Sequence, residues 1–221
     1  MSGKGHHVIL GARSLQDGQS IVKELESKGL SVSTVQLDVT DINSVQNAVQ
    51  EINALDILIN NAGIALEASS PSKLDVTKVK NEFDVNVFGV INVTSAILPL
   101  LQKEAKIINM SSMMGSLNSA LDKDSIVYGA SVAGYQSSKA ALNMYSIQLS
   151  KELEKEGYDI SIDLVDPGMV AIEFGGLDPE TAKKMGARSV DEGIKRVIEL
   201  VEQDKINKNI TFTNNDGVVP W

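Results

Sequence analysis

Leu55-Asp56-Ile57-Leu58-Ile59-Asn60-Asn61-Ala62-Gly63 is a short apolar run stopped by a polar turn that ends in glycine. Such a run reads as a strand buried on both faces. The same signature recurs at Val8–Gly11, at Lys106–Met110 and at Ile160–Val165, the last halted by Asp166-Pro167-Gly168. Ser31–Leu37 is β-branched and alternating, and Asn209–Thr213 reads as a short final strand. Amphipathic segments lie between the strands. Ser20–Lys28 places Ile21, Val22 and Leu25 on one face, with Gly29 as its stop. A second helix runs through Val45, Ala48, Val49 and Ile52, with Asp41 or Thr40 as its N-cap. Lys78–Gln102, Tyr135–Lys155 (Gly157 just beyond it) and Val190–Gln203 complete the set. Strands alternating with helices predict an α/β chain, a doubly wound parallel sheet formed as a single domain over 1–221. Ligands of such sheets bind beyond the carboxyl ends of the strands. Asp38, Asn60–Gly63, Ser111-Ser112 and Pro167-Gly168 therefore belong on one rim.

Composition narrows the function classes. The chain has 221 residues, 43% of them hydrophobic, which suffices for a packed core. Its formal net charge of -9 argues against nucleic-acid or anionic-membrane partners and fits a cytoplasmic protein. The absence of Cys excludes disulfides, thiolate metal sites and Cys nucleophiles. No apolar run approaches membrane-spanning length, and no signal core follows Met1-Ser2-Gly3-Lys4-Gly5-His6-His7. His6 and His7 read as a solvated terminus; no metal site is expected.

The chemistry centres on Gly134-Tyr135-Gln136-Ser137-Ser138-Lys139-Ala140-Ala141-Leu142-Asn143. Tyr135 and Lys139 are four apart on a helix and share a face. A phenol is a poor acid or base at neutrality, and a cation one turn away favours its phenolate. A tyrosine so tuned can exchange a proton with a carbonyl or alcohol oxygen while hydride moves at carbon.

The surrounding motifs make the chain resemble the short-chain dehydrogenase/reductase family, in particular its carbonyl-reductase-like branch. Ile107-Ile108-Asn109-Met110-Ser111-Ser112-Met113-Met114-Gly115 is similar to the family's strand and Ser-Ser-x-x-Gly segment. Asp84-Val85-Asn86-Val87-Phe88-Gly89, Asn60-Asn61-Ala62-Gly63, Asp38-Val39 and Pro167-Gly168 match its other motifs in order. The ending Asp216-Gly217-Val218-Val219-Pro220-Trp221 resembles the tail of that branch. The resemblance implies a Rossmann-like fold and a catalytic set of Asn86, Ser112, Tyr135 and Lys139. Ser112 would hydrogen-bond the substrate oxygen, Lys139 would bind ribose and tune Tyr135, and Asn86 would hold a relay water. It also implies cofactor contacts from Arg13, Asp38, Val39, Asn60, Ala62, Gly63, Tyr135, Lys139, Pro167 and Gly168. Arg13, just after the first strand, implies NADP(H) over NAD(H), because an arginine there binds a 2′-phosphate. The implied partner is a small carbonyl or alcohol substrate, met by a monomer or homodimer. Met113, Met114, Met169, Phe174 and Trp221 would lie near that substrate.

Two departures qualify the resemblance. The family opens with a strand and a Thr-Gly-x-x-x-Gly-x-Gly loop that cradles the cofactor pyrophosphate. Here His6–Ser14 matches the family's second strand, so the fold is expected to be N-terminally shortened. An open gap leaves backbone groups unpaired, so Val8–Gly11 is expected to shift beside Leu55–Ile59 and close the sheet; the alternatives are that the missing piece is supplied by something else or that the domain is marginal. Ile172 stands where the family has a cofactor-binding Thr. The alternatives to an NADP(H)-dependent carbonyl reductase are a family-derived protein without redox activity, binding a ligand or moving protons without cofactor, and a shortened form of an active enzyme.

Overall fold

The computed structural model describes residues 1–204 and 207–221. A first unit comprises β1 (Val8–Ala12), α1 (Leu15–Glu26) and β2 (Val32–Gln36). It is followed by α2 (Ile42–Gln50), β3 (Leu55–Asn60), α3 (Val76–Phe83) and α4 (Val90–Ile97). Then come β4 (Leu101–Met110), α5 (Leu117–Leu121), α6 (Ala133–Glu156) and β5 (Ser161–Val165). The chain closes with α7 (Pro179–Lys184), α8 (Val190–Gly193), α9 (Lys195–Glu202), β6 (Thr211–Asn214) and β7 (Gly217–Val218). Local chemistry sets the ends. The Asp41 side chain accepts from Asn43 N–H and starts α2. Gly157, at φ 82°, takes the left-handed turn that stops α6. The helix expected over 190–203 is split at Ile194 into α8 and α9. α8 begins on a capping box between Ser189 and Glu192. β4 starts five residues earlier than its apolar run, and Glu104 in that added stretch has φ 66° where the register with β3 shifts.

The architecture is the parallel α/β sheet read from the sequence, with helices on both faces. β3, β4, β5 and β6 run parallel in that order, and β7 adds an antiparallel hairpin edge. Successive residues of β4 serve opposite cores. Ile107 packs with Val45, Val93, Leu149 and Ile162 on the α2, α4 and α6 side. Ile108 packs with Val165, Val197 and Leu200 on the α9 side. Such doubly buried residues contribute about 1.5–3 kcal/mol each by apolar transfer.

The expected closure between Val8–Gly11 and Leu55–Ile59 does not occur. Among the described residues β1 pairs in parallel only with β2, from Val8↔Val32 to Ala12↔Gln36, and the pair forms a separate two-stranded sheet. A cleft of about 1050 Å³, lined by Val8–Gly11 on one wall and Leu55–Gly63 on the other, lies between them. The physical reason is that β1 is locked to its own unit. Thr34 Oγ1 donates to Leu10 O at 2.8 Å. A Cβ on Gly18 of α1 would sit 2.4 Å from that Oγ1 and 3.1 Å from Ala12 Cβ, so helix and strands are in direct contact. Shifting β1 alone would break these contacts along with the β1–β2 ladder.

Lys106 ties the sheet to α9. It is only 8% exposed, and its Nζ donates to Leu200 O (2.8 Å), Val201 O (3.3 Å) and Gln203 O, carbonyls at the end of α9. Burial pushes its pKa down, opposed by the carboxylates of Asp163 and Asp204. Lys106→Ala leaves these carbonyls without their donor and is expected to lower unfolding stability by about 2–4 kcal/mol. Urea titration measures it; a change within about 0.5 kcal/mol would mean that water replaces the ammonium.

One composition-based expectation needs correcting. The helical run Val76–Leu100, spanning 25 residues, is long and apolar enough to cross a membrane by length and composition. In the fold, its Val87, Val90, Val93 and Ile97 are buried, and Val93 and Ile97 belong to the core against β3, β4 and β5.

Candidate active site

Asn86 lies where the long helical run changes its winding. Asp84–Gly89 forms a π-turn between α3 and α4, the local widening that often marks functional sites. The Asn86 side chain is fully buried. Its Oδ1 accepts from Ile64 N–H (2.8 Å), and its Nδ2 donates to Ile64 O (2.8 Å) and to Ser138 Oγ (3.0 Å). Ser138 Oγ in turn donates to Tyr135 O at 2.7 Å. A Cβ on Gly63 would meet Asn86 Oδ1 at 3.4 Å and Lys139 Nζ at 3.6 Å. Asn86, Gly63 and Lys139 therefore converge on one point beyond β3.

α6 supplies Tyr135 and Lys139 from one face. Lys139 Nζ donates to Met110 O (2.8 Å) at the end of β4 and lies 5.6 Å from the centre of the Tyr135 ring. Lys139 is 4% exposed, and burial alone lowers its pKa from 10.5 to about 8. Tyr135 differs from the sequence expectation: burial raises its pKa from 10.0 to about 12, the neighbouring Ser112 hydroxyl lowers it, and the carboxylates of Asp166 and Glu82 raise it further. Low dielectric around the phenol outweighs the cation's proximity. The Tyr135 proton is thus firmly held at neutral pH. Phe174 packs edge-on against the Tyr135 ring, with centroids 5.8 Å apart.

Ser112 is 9% exposed and caps the turn Met113–Gly115, accepting from Met114 N–H at 3.2 Å. Its neighbour Ser111 faces the other way. Ser111 Oγ donates to Asn143 Oδ1 at 2.5 Å and its N–H donates to Val165 O at 2.8 Å, fixing the ends of β4 and β5 to α6. Close packing sets this junction: a Cβ on Gly115 would lie 2.7 Å from the Lys139 carbonyl carbon.

Rim residues divide by what their polar atoms already do. Asn60 Nδ2 donates to Thr94 Oγ1 (3.0 Å) and Asn109 Oδ1 (2.8 Å), and Asn109 Nδ2 donates to Ser146 Oγ (2.9 Å). That chain binds sheet to helices, so the Asn60 side chain acts structurally. Ala62 is exposed and Gly63 half-buried, both on the wall of the cleft. The Asp38 carboxylate accepts from Thr40 N–H (2.9 Å) and Oγ1 (2.7 Å), which hold its pKa below the usual value; Arg13 adds a smaller pull. Val39 presses on the π-turn, where a Cβ on Gly89 would be 2.6 Å from Val39 Cγ2. Arg13 is exposed and lines the cleft with Asp38. Pro167 and Gly168 follow β5, and Gly168 takes φ 71° with its N–H on Asp166 Oδ1 at 3.1 Å. Ile172 is 43% exposed just beyond them.

Two groups at the site carry no motif. Glu82 of α3 is fully buried; its Oε1 accepts from Leu66 N–H (2.7 Å) and Glu67 N–H (3.1 Å), while Oε2 has no partner among the described residues. A Cβ on Gly134 would lie 2.2 Å from that oxygen, which sets Glu82 against the start of α6. Asp166, 3% exposed behind Gly168, has its pKa raised by burial against opposing hydrogen bonds.

The short chain dehydrogenase family matches residues 1–181. A short-chain dehydrogenase of Penicillium roqueforti is 32% identical over 210 residues, covering 90% of this chain and 79% of that protein. An NADP-dependent 3-hydroxy acid dehydrogenase of Schizosaccharomyces pombe is 36% identical over 176 residues; the match covers 76% of this chain but only 62% of the relative. Among solved structures, the NADPH-bound carbonyl reductase from chicken fatty liver superposes with a TM-score of 0.76 at 26% identity, covering 97% of this chain and 86% of that one.

Proposed function

We propose, from the premise that the chain belongs to the short-chain dehydrogenase family and is an oxidoreductase of that family, that it reduces a ketone or aldehyde with NADPH. The observation that carries this reading is the convergence of Tyr135, Ser112, Lys139 and Asn86 at the carboxyl ends of β3 and β4, with the phenol protonated. Tyr135 would donate its proton to the carbonyl oxygen, and Ser112 would hold that oxygen beside it. A phenol held at about 12 is protonated at neutral pH, the form in which it would serve the reduction. Lys139, at about 8, keeps its charge at neutrality and loses it as pH rises through that value. The expected pH profile therefore falls above about pH 8. Asn86, through Ser138, ties α6 to the loop after β3.

A bound nicotinamide would supply the hydride. The residues present fit its two ends. Lys139 and Tyr135 would meet the nicotinamide ribose, and Asp38, Val39, Ala62 and Gly63 the adenosine. Arg13, beside Asp38, suits a 2′-phosphate and supports NADP(H) over NAD(H). The middle fits less well. After β1 the chain passes through Ala12-Arg13 to Ser14, the N-cap of α1, and Gly11 lies within the strand, where its Cβ would be 2.7 Å from the Leu37 side chain. β1 matches the family's second strand, and the pyrophosphate turn belongs to the strand before it. The exposed Ile172, where the family has a cofactor-binding Thr, favours the second reading, a family-derived protein without redox activity. Calorimetric titration separates them. Saturable NADPH binding, tighter than NADH binding, is expected. A folded sample that binds neither cofactor at millimolar concentration would remove the reductase.

A further inference from the structure

Glu82 is a buried carboxylate that neither the proton transfer nor the cofactor contacts use. Its Oε1 holds Leu66 N–H and Glu67 N–H of the loop after β3, and its Oε2 has no partner among the described residues. An oxygen of this kind is costly to leave unpaired in the interior. It faces the first turn of α6, where a Cβ on Gly134 would lie 2.2 Å from it. That turn follows Val132, an N-cap residue that makes no side-chain capping bond. The N–H groups and positive end of a 24-residue helix there favour a nearby negative charge. Asn86 repeats the arrangement four residues on. It holds Ile64 of the same loop and Ser138 of α6, itself four residues beyond Gly134. Glu82 and Asn86 are thus two rungs between loop 64–67 and the part of α6 that carries Tyr135 and Lys139. Glu67, 2% exposed, closes the frame. Its carboxylate accepts from Ser69 N–H (2.6 Å) and from the N–H of Asp75 (2.9 Å), the N-cap residue of α3.

We propose that Glu82 is a positioning residue for Tyr135: its buried carboxylate joins the loop after β3 to the first turn of α6 and so fixes where the phenol stands. Tyr135 is the third residue of α6, so a displacement of that turn passes directly to its ring. Gly134 is the counterpart on α6, because a side chain there would push the carboxylate away. The role rests on the reading of Tyr135 as proton donor, whereas the geometry stands without it. Five groups face the phenol: Lys139 from α6, Asp166 from the end of β5, Glu82 from α3, the Ser112 hydroxyl and the apolar Phe174 ring. Lys139 loses its charge above about pH 8. In alkaline solution the phenol therefore faces the carboxylates of Asp166 and Glu82, and both oppose its ionisation.

Carbon NMR of the intact chain, labelled at tyrosine Cζ and free of cofactor, tests this. The chain has four tyrosines, and Tyr135→Phe assigns the Tyr135 signal by its loss. Glu82→Gln keeps the size of the side chain and an acceptor for Leu66 and Glu67 but removes the charge. At pH 11, with the fold checked by circular dichroism, the ionised fraction of Tyr135 is expected to be about fivefold larger in this variant than in the parent. Tyr145, further along the same helix, serves as the control and should not change. Gly134→Ala keeps the charge and displaces it. It is read at pH 7, so it decides the matter even if Glu82→Gln fails to fold. Its Tyr135 signal is expected to shift, because the ring moves against Phe174, while that of Tyr145 stays. A Glu82 that only supports the fold would lower the melting temperature and leave the Tyr135 signal of the folded chain where it is. The proposal is overturned if folded Glu82→Gln ionises Tyr135 no more than the parent does, or if Gly134→Ala leaves the Tyr135 signal in place. No turnover and no NADPH enter these measurements, so their failure is distinct from failure of the reductase reading.

Discussion

Tyr135→Phe is expected to lower turnover of a ketone or aldehyde by about 10³-fold, while leaving NADPH affinity within a factor of about three. The variant deletes one oxygen and keeps the ring, so the edge-on contact with Phe174 survives. What it removes is the proton that burial, Asp166 and Glu82 hold in place to about pH 12. Loss of a group used only in the transition state lowers kcat and kcat/KM together and leaves ground-state binding alone. Steady-state assays with NADPH oxidation followed at 340 nm, alongside calorimetry, make the distinction; the wavelength is roughly that of the reduced nicotinamide band. A variant retaining a tenth of wild-type turnover would exclude Tyr135 as the proton donor. If the variant instead loses NADPH affinity and turnover in parallel, Tyr135 acts through binding.

Much of this site is legible in the sequence because its chemistry is local. Tyr135 and Lys139 share a helix face by spacing, and Ser112 follows an apolar run that can only be a buried strand. Asn86 illustrates the limit. The apolar period through 78–102 reads as one regular helix, and nothing in it shows the π-turn at Asp84–Gly89 that sets Asn86 against Ile64 and Ser138. Glu82 is hidden for a different reason. A glutamate on a helix reads as solvated surface, whereas tertiary packing places this one, fully buried, beside Gly134. The pKa of Tyr135 is misjudged from spacing because burial, which no four-residue pattern reports, outweighs the neighbouring cation.

The position of β1 shows the same division at the level of the fold. Its existence and type follow from Val8-Ile9-Leu10, and its observed limits agree within a residue. Its neighbour does not follow, because unpaired edges favour closure whereas the contacts of Gly18 with Thr34 and Ala12 hold β1, α1 and β2 together. The unit keeps its internal ladder, and the unpaired edges become the walls of the cleft. The departures recognised in the sequence, the absent glycine turn and Ile172, concern the same rim and not the cluster of Tyr135, Ser112, Lys139 and Asn86.

Lys139→Met is expected to move activity and stability in opposite directions. Lys139 is 4% exposed with a pKa of about 8 against an ordinary 10.5. The depressed value means that the folded chain disfavours the charged amine, by on the order of 3 kcal/mol below pH 8. Between pH 8 and 10.5 the unfolded chain binds a proton that the folded chain has released, so unfolding free energy rises with pH there. It falls back as pH drops through 8. Methionine carries no charge and nearly fills the same volume, although it loses the donor to Met110 O. At pH 7 the variant is therefore expected to be more stable than the parent by about 1–2 kcal/mol, and the gain should vanish near pH 10. Taking the difference between the two proteins cancels the similar pH dependence of Lys106, which is unchanged in both. Turnover should fall at least 100-fold, because the cation beside Tyr135 and the proposed ribose contact go together. Urea unfolding of both proteins at pH 7, 8.5 and 10 tests the sign. A difference that does not depend on pH would mean that Lys139 is not the buried, reluctantly charged amine on which the proposed pH profile rests.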